Sequence, residues 1–302
     1  MSLKGSTDEQ KLDDLTSYTY KNQAIWFLNA FWNSFAEKEA ENVWEYVHHC
    51  NDLDLQNKEE GSQLDEMMAH RFLELIHSTL TVREMREGLR AVGIEKVKSV
   101  PLVNFLIFKY KVDWHKLVNA SQGDNQEEVA EAQRKLAEVQ KAVEQAQITA
   151  KASKEREAAA KKAKAELDAA LADLKAEEDA YNNKTKELER KSEEGGVVSR
   201  NKAKAELAQH LATDPLPLRR AKITCEAAVK KAERTATEAA EARAAADAAL
   251  EAATNSLAEA EAYLEEVKSK PGSAAGALWW IDRELHEQRK YLPTSKGGIA
   301  KK

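Results

Sequence analysis

AEVQKAVEQAQITAKASKEREAAAKKAKAELDAALADLKAEEDAY, residues Ala137 to Tyr181, contains neither glycine nor proline and is built largely from Ala, Glu, Lys and Leu. It lies inside a longer run, Asp124 to Lys270, of about 147 residues with the same bias, in which Gly and Pro occur only between Gly195 and Pro217. Residues 124–194 and 218–270 are therefore two windows with nothing to interrupt an α-helix. In the first, Ala132, Val139, Ala146, Ser153, Ala160, Leu167, Leu174, Tyr181 and Leu188 recur every seven residues. A second, weaker row runs Val129, Leu136, Val143, Ala150, Glu157, Lys164, Leu171, so the apolar seam loosens in the middle. The second window has two rows of its own: Cys225, Ala232, Ala239, Ala246, Ala253, Ala260, Val267, and Val229, Ala236, Arg243, Leu250, Leu257, Leu264.

Heptads sustained over both windows exceed what a solvated single helix needs, and predict two helices folded back on each other. At the α-helical rise the arms would extend roughly 105 Å and about 80 Å. Small seam residues let the axes approach closely but bury little area each, so length and helix propensity must carry the stability.

Outside the arms the composition changes. All six Phe and four of the six Trp precede residue 115, so a compact core is confined to residues near 15–120. The formal charge of −6 gives no global attraction to nucleic acid or acidic membranes, and any electrostatic partner must be met locally. Cys50 and Cys225 lie in different segments without a spaced Cys or His cluster, which predicts free thiols in a cytosolic protein. The start is polar and acidic, and no apolar run approaches a membrane span of about 20 residues.

Read in order, residues 1–19 are expected to be disordered. Residues 20–123 form a helical domain with core positions from Ala24 to Val47 and from Leu64 to Leu75. Thr81 and Glu84 have capping-box form for a helix reaching about Val92, and Pro101 opens another. Helix, loop and helix from Thr81 to Lys111 give the outline of an EF-hand. The Ala-rich hairpin follows at 124–270, its arms 124–194 and 218–270 joined by a connector at 195–217 that holds a short helix over Arg200–Thr213. A Trp-containing helix and basic tail close the chain at 271–302.

The candidate calcium loop is Gly93 to Asn104. A working loop needs oxygen ligands at its first, third, fifth, ninth and twelfth positions and glycine at the sixth. Those ligand positions hold Gly93, Glu95, Val97, Pro101 and Asn104, with Lys98 in place of the glycine, so the loop is read as unable to hold the ion. Asp52, Asp54, Glu59 and Glu60 are weak metal candidates, beside His48 and His49, against the simpler reading of a solvated loop. Neither a nucleophile arrangement nor a glycine-rich phosphate loop is present, so no catalytic residue, cofactor or small-molecule substrate is expected.

Positive charge is concentrated in two places. Arg219, Arg220, Lys222, Lys230, Lys231 and Arg234 face only Glu226 and Glu233 within residues 218–234. Cations at a helix start oppose the macrodipole, which favours a partner surface there. The tail carries Arg283, Arg289, Lys290, Lys296, Lys301 and Lys302 beside Trp279 and Trp280. Aromatic residues with arginine have the composition of an interface hot spot. The competing reading is that Trp279 or Trp280 docks on the chain's own core near residues 21–118.

Five stretches together resemble the calcium-regulated F-actin-bundling proteins of amoebae. They are Ala24-Ile-Trp-Phe-Leu-Asn-Ala-Phe-Trp32, Glu60-Gly-Ser-Gln-Leu-Asp65, Phe105-Leu-Ile-Phe-Lys-Tyr-Lys111, Ala221 to Lys231, and Ala275-Gly-Ala-Leu-Trp-Trp-Ile-Asp-Arg-Glu-Leu285. The resemblance implies an all-α fold: an EF-hand-like N-terminal domain, a long antiparallel coiled-coil hairpin and a short C-terminal helix. It implies F-actin as partner, a cytoskeletal location, no enzymatic activity, and a main filament contact around residues 200–254. In that family the loop carries a calcium-binding pattern; Gly93–Asn104 departs from it. The candidate filament-binding residues are Arg219, Arg220, Lys222, Lys230, Lys231, Arg234, Trp279, Trp280 and Arg283. The alternative is a scaffold that self-associates through its heptads as a homo-oligomer.

Overall fold

The computed structural model describes residues 2–78, 81–94 and 99–299. The chain is all-α, and its Cα positions separate into two units, Met1–Lys141 with Thr254–Lys302, and Ala142–Ala253.

In the first unit the start of the chain is ordered, contrary to the disorder expected of residues 1–19. Helix α1 spans Asp8–Thr16, opened by a capping box between Thr7 and Gln10, and it buries Leu12 and Leu15. Two leucines three residues apart in an otherwise polar stretch are enough to fasten a short helix to a neighbouring core. Helix α2 (Tyr20–Phe31) and α3 (Glu37–Leu53) are joined through a π-helical turn at Trp32–Ala36. The wider turn resets the phase of the apolar face, which accounts for the mixed spacing in this stretch. It also gathers Phe27, Phe31 and Phe35, with ring centroids 5.2 Å and 5.7 Å apart for the two consecutive pairs.

Beyond α3 come α4 (Glu66–Leu75), α5 (Val82–Ala91), α6 (Leu102–Tyr110) and α7 (Trp114–Asn119). The Thr81–Glu84 capping box forms at the start of α5 as its sequence predicts. Two helix–loop–helix pairs result, α3 with α4 and α5 with α6, and their loops are joined by a short antiparallel pairing of β1 (Gln63–Leu64) with β2 (Val100–Pro101). Phe105 of α6 meets Phe72 of α4 and Tyr46 of α3 edge-on at 4.9 Å and 5.4 Å.

Gln23 holds the centre of this unit together. Fully buried on α2, it donates to the carbonyls of Tyr18 at 2.6 Å and Ser62 at 2.7 Å, and accepts from the Val103 amide at 2.9 Å. One side chain thereby satisfies loop and helix-start groups that have no partner within a helix.

Helix α11 (Ala275–Gln288) packs against α2 in the same unit. Gly276 permits the approach, since a Cβ there would stand 2.7 Å from both the Asn29 amide nitrogen and the Leu28 Cβ. Replacing Gly276 with alanine is expected to lower stability by about 1–3 kcal/mol through overpacking. Urea unfolding followed by tryptophan fluorescence measures this, and an unchanged midpoint would contradict the close approach.

The hairpin is formed by α8 (Gln126–Glu193), α9 (Val197–Ala212) and α10 (Leu216–Lys268). Within the second unit the arms run antiparallel: Arg156 meets Glu238 at 2.8 Å, Glu166 meets Lys231 at 2.5 Å, and the Tyr181 ring lies 4.4 Å from His210. His210, on α9, also reaches the Thr185 hydroxyl of α8 at 3.0 Å, fixing the short helix against the end of the long one.

The α8 seam differs from its predicted rows in one respect. Up to Val143 the companion row of Val129, Leu136 and Val143 is buried as expected. Beyond Ser153 the buried companions are Ala163 and Ala170, whereas Glu157, Lys164 and Leu171 face solvent. Residues on one side of the main row have exchanged with those on the other. A helix of 3.6 residues per turn drifts by about 20° per heptad against a strict seven-residue row, so over this length the contact line crosses it. On α10 the same effect leaves Ala236 and Arg243 exposed while Leu257 and Leu264 are buried.

Candidate functional site

The connector turns the chain through Thr213, whose backbone is extended, and Asp214-Pro215 into α10, with Pro217 in the first helical turn where its missing N–H costs nothing. From there Leu216, Arg220, Ile223, Ala227, Lys230 and Arg234 follow at alternating spacings of four and three residues and form one stripe of the helix. All six are exposed. Two residues out of phase, Leu218, Ala221, Cys225, Ala228 and Ala232 form the opposite face and are buried or half-buried. The hairpin packs on one face of α10 and presents the other.

The predicted cations are thus on the surface, and the structure divides them by their partners. Lys231 bonds Glu166 of α8. This hydrogen bond, together with the charges of Lys231 and Lys162, holds the Glu166 carboxyl below its ordinary range. Arg234 pairs at 2.9 Å with Glu238, which also receives Arg156 of α8. Arg219 lies 3.9 Å from Asp214. Arg220, Lys222 and Lys230 form no ion pair among the described residues. Lys162, one turn before Glu166 on α8, is a further cation near this carboxylate that composition along α10 alone does not reveal.

The second candidate patch is corrected. Trp280 is 1% exposed, its ring 4.8 Å from Trp44 and its Nε1 donating to Glu284 at 3.0 Å. Trp279 lies beside Trp32 and Trp44, each at 6.4 Å. Arg283 stacks over the Trp44 ring at 5.0 Å and pairs with Glu41 and Glu287. These three residues hold α11 to the core of the first unit; Trp280 is not available to a filament. Other tail cations are engaged as well, Arg289 with both oxygens of Glu261 and Lys290 with Glu287. Lys301 and Lys302 lie outside the described residues.

The metal candidates are not drawn together. Asp54 accepts from the Tyr20 hydroxyl at 3.1 Å and from the Asn57 amide at 3.0 Å, while Asp52, Glu59 and Glu60 point into solvent. Among the described residues, no group of three or more His, Cys, Asp and Glu side chains could hold an ion. In the loop Gly93–Asn104, residues 95–98 and with them Glu95, Val97 and Lys98 lie outside the described residues. At its last position, where a calcium loop needs a carboxylate, Asn104 is buried in the protein interior. The described part of the loop does not fit calcium.

Residues 128–266 match the family described as F actin bundling C terminal. Among solved structures, the crystal structure of the 34 kDa F-actin bundling protein from Dictyostelium discoideum matches with a TM-score of 0.50 and 21% sequence identity, covering 96% of this chain and 99% of that one. At that identity the likeness establishes the shared fold. No curated protein sequence matches the chain. The family match falls on the hairpin segment, and the likeness to the solved structure is one of fold over nearly the whole chain. No helix among the described residues is long and apolar enough to cross a membrane.

Proposed function

We propose that the chain binds and bundles actin filaments as a non-enzymatic cytoskeletal protein, with the outward face of α10 as a filament contact. The supporting observation is the stripe itself. Within the family-matching segment, α10 buries one face in the hairpin and displays Arg220, Lys230 and Arg234 on the other, flanked by Arg219, Lys222 and Lys231. Actin filaments are acidic, so a local cationic face on an acidic chain gives attraction where net charge would give none. High-speed cosedimentation with F-actin tests this. The chain is expected to pellet at low ionic strength and to leave the pellet as salt rises toward 1 M, where the screening length falls to about 3 Å. Pelleting that is independent of salt would count against a charged contact.

Calcium enters this reading only as an absence of effect through the Gly93–Asn104 loop. The support is Asn104, buried where a bidentate carboxylate would be needed. Pelleting in calcium and in chelator is expected to agree within error, and isothermal calorimetry to show no calcium binding at micromolar concentrations. A calcium-dependent change of pelleting would overturn it.

A further inference from the structure

Two features of the α10 face are not explained by charge. Leu216 is 63% exposed and Ile223 is 58% exposed, one heptad apart on the stripe that carries Arg220, Lys230 and Arg234. Neither belongs to the rows that close the hairpin, and burial on α10 in this stretch falls on the opposite face through Cys225 and its neighbours. Most of the outward surface of α10 is Ala, Glu, Lys and Arg, so a β-branched isoleucine there adds no helix propensity and no packing. Arg220 lies between the two apolar side chains, four residues after one and three before the other. Ala227, next on the stripe, leaves room beside Ile223 for an approaching surface.

We propose that Leu216 and Ile223 are apolar anchors of the filament contact, entering an apolar depression on the filament whose rim is acidic and meets Arg220 and Lys230. The inference rests on the actin-binding reading above and specifies the chemistry of that site. Charge complementarity argues for this occupant: the anchors are ringed by cations on an otherwise acidic chain, and two of those cations have no ion pair among the described residues. An apolar centre with a charged rim is the common anatomy of a specific interface, where the rim aligns the partner and the centre holds it.

The test is cosedimentation with F-actin across a salt series. It compares the wild-type chain, the double variant Leu216→Ser with Ile223→Ser, the conservative double variant Leu216→Met with Ile223→Leu, and the reversal of Arg219, Arg220, Lys230 and Lys231 to glutamate. Both apolar side chains are exposed, so circular dichroism should show the serine variant as helical as the wild type. The inference expects affinity to fall about tenfold or more for the serine variant, from two lost apolar burials. The salt dependence should keep its slope, and the conservative variant should bind as the wild type does. If the serine variant pellets like the wild type while the charge-reversed chain does not, the contact is electrostatic alone; the inference fails and the actin reading stands. If the wild type does not pellet at all, the actin reading fails and takes this inference with it. Wild-type sedimentation with phosphatidylserine vesicles but not with filaments would identify the stripe as a membrane contact and overturn both.

Discussion

Trp280→Ala lowers the unfolding free energy of the first unit by about 3–5 kcal/mol, the range for removing a buried large aromatic side chain from a packed core. The expectation follows from where the residue lies. Its ring is almost wholly enclosed, 4.8 Å from Trp44, and its indole N–H satisfies Glu284, which also receives Lys21 at 2.6 Å. Truncation therefore opens a cavity, removes an aromatic pair, and takes one hydrogen-bond donor from a half-buried carboxylate. Arg283 would lose the orientation that places it over Trp44, since both residues are held by the docking of the same helix. Guanidinium unfolding followed by far-ultraviolet circular dichroism gives the change directly. A loss below about 1 kcal/mol, typical of surface substitutions, would show that α11 rests on the core without contributing to it.

Reversing Arg219, Arg220, Lys230 and Lys231 to glutamate is expected to abolish filament pelleting and leave the fold intact. The formal charge of the face changes by eight units, and attraction toward an acidic filament becomes repulsion. Local pairing makes the four positions unequal. Lys231 also bridges to Glu166 of α8, so Lys231→Glu sets two carboxylates together and loosens one exposed tie of the hairpin, whereas Arg220 and Lys230 can be reversed at no such cost. Exposed pairs of this kind contribute at most about 1 kcal/mol, small beside the packing and propensity of helices this long. The pair Arg220→Glu with Lys230→Glu should accordingly reproduce most of the loss with an unchanged thermal midpoint. Pelleting that survives all four reversals would remove the α10 face from the account.

Much of this architecture is legible in the chain. The windows without Gly and Pro mark α8 and α10, the heptad rows give the face on which each packs, and Thr81 with Glu84 marks the start of α5. What escapes has identifiable causes. Helix α1 is short and polar, and its two leucines acquire meaning only beside the core they enter. The π-turn at Trp32–Ala36 breaks a period that sequence reading assumes constant. The seam of α8 leaves its row because the drift accumulates over many heptads, while each heptad alone looks regular.

The candidate site shows the same division. Its cations are visible as a composition bias between Arg219 and Arg234. Arg234 has Glu238 four residues on in the same helix, a spacing open to sequence reading, whereas the pairing of Lys231 with Glu166 crosses the hairpin and is written in neither arm alone. The exposure of Ile223 is similarly invisible until the packed face of α10 is known. At the tail, two tryptophans and an arginine have one composition for an interface and for internal docking. Only the position of Trp44 and Glu284 decides between them.

The central claim is that this chain holds filaments together, and low-speed cosedimentation with F-actin at low ionic strength measures that directly. At low centrifugal force single filaments stay in solution and bundles pellet. The account predicts that actin and the chain enter the low-speed pellet together, to the same extent in calcium and in chelator. Actin that remains in the low-speed supernatant, with the chain absent from the high-speed pellet as well, would contradict it.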